Sequence, residues 1–163
     1  MHVTTNHYSL TKKQLEILNL LYRFRFTTAE LISKTTNTNI RIINQRLKLM
    51  TELKYIGRHY TSDYRIQRKP AVYYMLEDGI GELKKLNADK RYNLRVLKSI
   101  KTDWQKSDTF IIHQLAVFDA YCKLQANCET DIQFFTRSQL AGYGHYPKPL
   151  PDAFVVVGEG RTR

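Results

Sequence analysis

Arg41, Asn44, Gln45 and Lys48 are four side chains whose chemistry matches the edges and backbone of a nucleic acid. Arginine can bond a guanine edge in two places, asparagine and glutamine can do the same for adenine, and lysine neutralises phosphate. Spaced at 100° per residue, the four fall within about 100° of arc on one helix, so a single face would present them together. A second basic group follows closely: Arg58, Arg65, Arg68 and Lys69, with His59 beside the first of them. Its chemistry suits phosphate or minor-groove contacts. From Asn39 to Lys69 there are 8 Lys and Arg against only Glu52 and Asp63. The same residues would also suit the solvated face of an ordinary helical core and a soluble loop tip. Two basic elements in succession weigh toward a polyanion.

These residues need elements to hold them. Leu15, Leu18 and Tyr22 recur at helical spacing behind Thr11 and Gln14, a capping-box pair, which predicts a first helix over about 11–24. Thr27 or Thr28 can cap a short helix over 29–34, stopped by the turn-forming run 35–39. A third helix follows, with Ile40, Ile43, Leu47, Met50 and Leu53 on the side opposite the polar four. This is the order of a helix-turn-helix, whose last helix enters the major groove. Residues 55–60 and 71–76 are β-prone and predict a long hairpin, its tip at 61–70 carrying Arg65, Arg68 and Lys69. A helix starting near Asp78 should then bury Ile80, Leu83 and Leu86. The α-α-α-β-β-α order, with Tyr73-Tyr74-Met75-Leu76-Glu77-Asp78-Gly79 leading from strand to helix, resembles the winged helix-turn-helix superfamily.

The polar interruption Asn87–Asn93 suggests a boundary between residues 1–90, a winged helix-turn-helix, and 91–163, a small α+β domain for self-association or partner contacts. The fold class expected is α+β. Ser107 or Asp108 can cap a helix over 109–127 with the stripe Ile111, Leu115, Phe118 and Cys122, expected to be the longest buried helix. Strands are expected at 131–136 and 153–157. In the loop between them, Tyr143, His145 and Tyr146 suit either stacking on bases or a partner, or closing over a small core.

With His113-Gln114-Leu115-Ala116-Val117-Phe118-Asp119 on that long helix, and Leu150-Pro151-Asp152-Ala153-Phe154-Val155-Val156-Val157 after a further strand, the chain resembles the replication-relaxation proteins of plasmids, conjugative elements and phages. The resemblance implies a role in replication, relaxation or transfer of mobile DNA, or in its control, through DNA binding. Pro151-Asp152 before an apolar strand also resembles the opening of a restriction-endonuclease-like metal site, where carboxylates hold the metal and a lysine assists water attack. Here Glu159-Gly160-Arg161 puts Arg in place of that Lys, and the motif looks incomplete. Asp152 as a capping residue is the simpler expectation, with a metal-dependent nuclease or remnant on Asp152 and Glu159 as the alternative. His113 and Asp119 differ by about 120° on one helix, so they do not form an i, i+4 ligand pair. The sequence has no P-loop, dinucleotide fingerprint, serine elbow or relaxase Tyr and His set. Neither an enzyme, a cofactor nor a metal is expected.

Across the 163 residues, 26 Lys and Arg face 15 Asp and Glu, for a formal charge of +11. Apolar residues make up 42% and aromatic residues 12%, a composition for folding, so the charge belongs on a folded surface rather than on a disordered tail. Residues 1–90 carry a net +8 and 91–163 a net +3. Cys122 and Cys128 are too few for a disulfide framework and are expected to be reduced, buried thiols. With no long apolar run and no signal-like start, a cytoplasmic protein is expected. The expected partners are double-stranded DNA, a second copy of the chain as homodimer, and replication or transfer proteins. A winged helix that docks on protein instead is the third reading.

Overall fold

Thr11 starts the first helix as its side chain predicts: its hydroxyl accepts from the Gln14 backbone N–H while the Gln14 side chain reaches back to the Thr11 N–H at 2.9 Å. In a computed structural model, which describes residues 8–158, this is α1 (Lys12–Phe24). β1 (Phe26–Thr27), α2 (Ala29–Thr36), α3 (Ile40–Glu52), β2 (Ile56–His59), α4 (Ser62–Ile66), β3 (Val72–Met75) and α5 (Glu77–Lys85) come next. The chain continues through α6 (Leu94–Ile100), α7 (Asp108–Asn127), β4 (Ile132–Thr136), α8 (Arg137–Leu140) and β5 (Ala153–Val157). The architecture is mixed α+β, helices with two small antiparallel sheets.

The turn between α2 and α3 works through two asparagines. Asn37 takes the left-handed conformation (φ 47°) that ends α2, and the Asn39 side chain accepts from the Arg41 N–H to begin α3. Ile43, Leu47 and Met50 are fully buried beneath α3. Each contributes about 1.5–3 kcal/mol by leaving water, which fixes the rotation of the helix about its axis. Ile40 and Leu53 pack at the edge of this core, only partly buried.

The first sheet has the order β1-β3-β2, with Phe26 opposite Tyr74 and Gly57 opposite Tyr74 on the other side. The long hairpin expected over 55–76 is shorter and its tip is not a loop. Thr61 caps Tyr64, and residues 62–66 form α4. The cause is the side chain of Tyr64, which is buried with Phe26, Val72 and Ile111 in a small second cluster and draws the connection into a helical turn. β1 was not foreseen. Leu86, expected inside, is half exposed, because α5 ends at Lys85 and the chain turns away.

α6 was likewise not foreseen; Asn93 caps it and Val96, Leu97 and Ile100 bury its inner face. α7 is the longest helix, capped by Ser107 as expected, but of its 20 residues only Ile111, Phe118 and Tyr121 are buried. Phe118 stacks on Phe24 of α1 with centroids 4.0 Å apart. β4 and β5 pair from Ile132↔Val157 to Thr136↔Ala153. One hydrophobic cluster runs from α1 and α3 through α6 to Phe118, Tyr121 and Phe134, continuous across the polar segment at 87–93. Both cysteines are free and half-buried rather than buried, with Cys122 Sγ 3.3 Å from Thr35 Oγ1. No helix among the described residues is long and apolar enough to cross a membrane.

Candidate nucleic-acid interface

With Ile43, Leu47 and Met50 inside, the helical period leaves Arg41, Asn44, Gln45 and Lys48 on the outer face of α3, and all four are exposed. Lys48 lies 4.0 Å from Glu52 one turn on, with both side chains well exposed, a contact too solvated to immobilise it. Arg41 has no ion-pair partner within 4 Å among the described residues.

Three sequence-predicted residues from separate parts of the chain meet in one cleft. Asn44 of α3, Arg58 of β2 and Lys69 after α4 line a concavity of about 230 Å³, together with Glu30 of α2, Tyr60 and Tyr73. Arg58 sits over the Tyr60 ring at 4.6 Å, which holds the guanidinium at the mouth without neutralising it. Lys69 Nζ lies 5.6 Å from the Tyr64 ring. Burial, with the Asp108 charge second, pushes the Tyr64 phenol above its ordinary value, so that ring stays neutral beside the lysine. Burial raises Tyr74 in the same way.

The other basic residues fall differently. Arg65 is exposed on α4, and Arg68 is exposed at a left-handed backbone position (φ 52°) just past that helix. Neither lines the cleft. His59, on the same strand as Arg58, turns to the other side: it packs edge-on against Tyr64, with Nε2 3.5 Å from Asp108 Oδ1. Strand alternation required this, since neighbours on a strand face opposite ways. Tyr60, unnoticed in the sequence, follows the same alternation from Arg58 and could have been found by it. Glu30 carried no local signal, because its approach to the cleft depends on how α2 packs.

The residues of the nuclease alternative are placed only in part. Asp152 Oδ2 lies 3.1 Å from His113 Nε2 and its Oδ1 3.7 Å from Arg137 Nη1, so this carboxylate faces a histidine and an arginine rather than capping a helix. Asp119 pairs with Lys123 at 2.7 Å. Glu159 lies outside the described residues. Among the described residues, no group of three or more His, Cys, Asp or Glu could hold a metal ion. In the loop after α8, Tyr146 packs on Phe154 of β5, whereas Tyr143 is half exposed beside His145.

A sequence model described as replication-relaxation matches residues 18–159. That span takes in α2, α3, the cleft and the His113–Asp152 contact. No individual curated protein matches the chain closely enough to carry a comparison.

Proposed function

We propose, from the premise that the chain belongs to the replication-relaxation family, that it binds double-stranded DNA in a sequence-specific manner. Membership points to a role in the replication or relaxation of plasmids or other mobile elements. DNA binding is the physical act by which this chain serves it. On this reading residues 1–90 work as a winged helix-turn-helix: α3 lies in the major groove, and the β2–α4–β3 flap bears on the backbone beside it. The chain is then a binder and not an enzyme. DNA, a second copy of the chain on a two-fold site, and replication or transfer proteins are its partners.

One observation carries the proposal: the four edge-reading and phosphate-neutralising side chains of α3 stand exposed on a helix whose other face is locked into the core, and its Asn44 shares a cleft with Arg58 and Lys69. Arg41, Asn44, Gln45 and Lys48 are assigned contacts in the major groove, the first three to base edges; Arg58, Arg65, Arg68 and Lys69 are assigned phosphates or the minor groove. The α3 helix resists rotation because turning it would expose Ile43 or Leu47, so the reading face is preorganised.

Fluorescence anisotropy with labelled duplexes from the genetic neighbourhood and with a scrambled duplex, at several salt concentrations, tests the proposal. Binding to one fragment that survives salt while the scrambled duplex is released supports sequence reading. Equal, fully salt-sensitive binding to every duplex refutes it. Cleavage of supercoiled plasmid that needs a divalent ion and is abolished in Asp152→Ala would move the protein to the nuclease class.

A further inference from the structure

The α3 cleft accounts for only part of the positive surface. Residues 90–106 contain Lys90, Arg91, Arg95, Lys98, Lys101 and Lys106, and their one acidic residue, Asp103, is buried against Arg25. Lys101 pairs with Glu77 of α5, and Lys106 is partly buried over Phe110, so the stretch shows solvent chiefly Lys90, Arg91, Arg95 and Lys98, and no carboxylate of its own.

Lys90, Arg91 and Arg95 line a second cleft of about 610 Å³, larger than the first, and no acidic residue lines it. Its walls are Tyr22 of α1, the 87–95 segment and the turn after α8 at Gly142. The two clefts share neither a lining residue nor a secondary-structure element. Arg91 has Asp89 at 3.1 Å, both exposed, while Lys90 and Arg95 have no ion-pair partner within 4 Å among the described residues.

The cleft is held in shape. Asn87 bonds Tyr92 in both directions, accepting from its N–H at 2.7 Å and donating to its carbonyl at 2.9 Å. The Asn93 N–H donates to the Tyr22 hydroxyl at 2.9 Å, and its side-chain amide donates to the Ala141 carbonyl at 3.2 Å. These bonds tie the loop to α1 and to the turn after α8 at once. They also occupy the amides that would otherwise read base edges. What remains free in the cleft is the positive charge of Lys90 and Arg95, carried on a backbone these bonds hold, and a concave wall focuses it. That suits a repeating anion contacted without regard to sequence.

We infer that this second cleft grips the phosphodiester backbone of a second DNA segment, so that one chain holds two stretches of DNA at once. The inference rests on the reading of the α3 cleft as the first DNA site. It gives a protein acting in replication or relaxation a means of joining two parts of one molecule.

The test uses two short duplexes, one carrying a donor dye and one an acceptor, with the full chain and with a Lys90→Glu, Arg95→Glu variant. Both positions are exposed, and a thermal melt by circular dichroism checks the fold. Energy transfer with the parent protein is expected, falling to the no-protein level in the variant, while anisotropy on a single specific duplex stays within about threefold of the parent. No transfer with the parent overturns the inference. So does transfer that persists in the variant, since two copies each using the α3 cleft would then suffice. If the variant loses single-duplex binding altogether while Arg58→Ala, Lys69→Ala binds normally, the α3 reading falls, and the two-segment inference falls with it because only one DNA site is left.

Discussion

Replacing Arg58 and Lys69 together by alanine separates a phosphate-gripping cleft from a merely solvated one. Both side chains are exposed, and the stacking of Arg58 on Tyr60 at 4.6 Å, which the change removes, is worth about 0.5–1 kcal/mol, so the fold should persist. Each phosphate contact on duplex DNA contributes about 0.9 to the slope of log affinity against log salt, so two contacts contribute about 1.8. Between 50 and 200 mM salt the logarithm of the concentration changes by about 0.6, so the parent should lose about twelvefold more affinity than the variant over that range. The weakening should be the same for specific and scrambled duplexes, because the backbone carries the same charge in both. Anisotropy titrations at four salt concentrations read both quantities. An unchanged slope would refute phosphate contact, and a changed preference between duplexes without general weakening would mean that the cleft reads bases.

On α3 itself, Arg41→Ala or Gln45→Ala should relax discrimination between specific and scrambled duplexes by about 1–3 kcal/mol, roughly 5- to 150-fold in the affinity ratio, with little change on the scrambled duplex. Gly79→Ala should destabilise the fold by about 1–3 kcal/mol in urea unfolding. A Cβ there would stand 2.5 Å from the Tyr55 carbonyl oxygen, and this clash with backbone outweighs the gain of about 1 kcal/mol in helix propensity. Asp103→Ala should cost about 3 kcal/mol in the same assay, because it strands the Arg25 guanidinium at the end of α1. The low end of the range for broken buried pairs applies, since Arg25 retains a path to water. Burial, outweighing the Arg25 partner, holds the Asp103 carboxyl above its ordinary value, so folding takes up a proton there as the pH falls through that raised value. The contribution of Asp103 is therefore fullest in acid, and the penalty should grow from neutral toward acid pH; a penalty that shrank would contradict this reading. Phe118→Ala should cost about 3–5 kcal/mol, seen as a lower midpoint, by emptying the space against Phe24.

The helices that carry the α3 face were legible from the residues because their signals are local. The Thr11–Gln14 capping box, the Thr28 cap and the Asn37–Asn39 turn act within a few residues, and the spacing of Ile43, Leu47 and Met50 alone divides α3 into an inner and an outer face. The family resemblance, drawn from short runs near His113 and Asp152, agrees with a match over residues 18–159. Some local signals went unread. Thr61-Ser62-Asp63 is an N-cap sequence and Asn93 is another, and each opens a helix that β-propensity and a polar run had masked.

Residue types, helical periods and caps determined which side chains this protein offers: a polar, basic outer face on α3 and a surplus of cations beyond it. Tertiary structure alone decided which of them meet. β1 is two residues long and has no period to read; it exists because β3 pairs with it. Arg25 and Asp103 lie 78 positions apart, and His113 reaches Asp152 only because β5 pairs with β4, which packs against α7. Asn44, Arg58 and Lys69 share a cleft, while Arg65 and Arg68 stay outside it, because burying Tyr64 turns the connection between β2 and β3 into a helix. Such meetings depend on how buried surfaces fit across the core, and that fit is set by all the packed elements together rather than by any one stretch of chain.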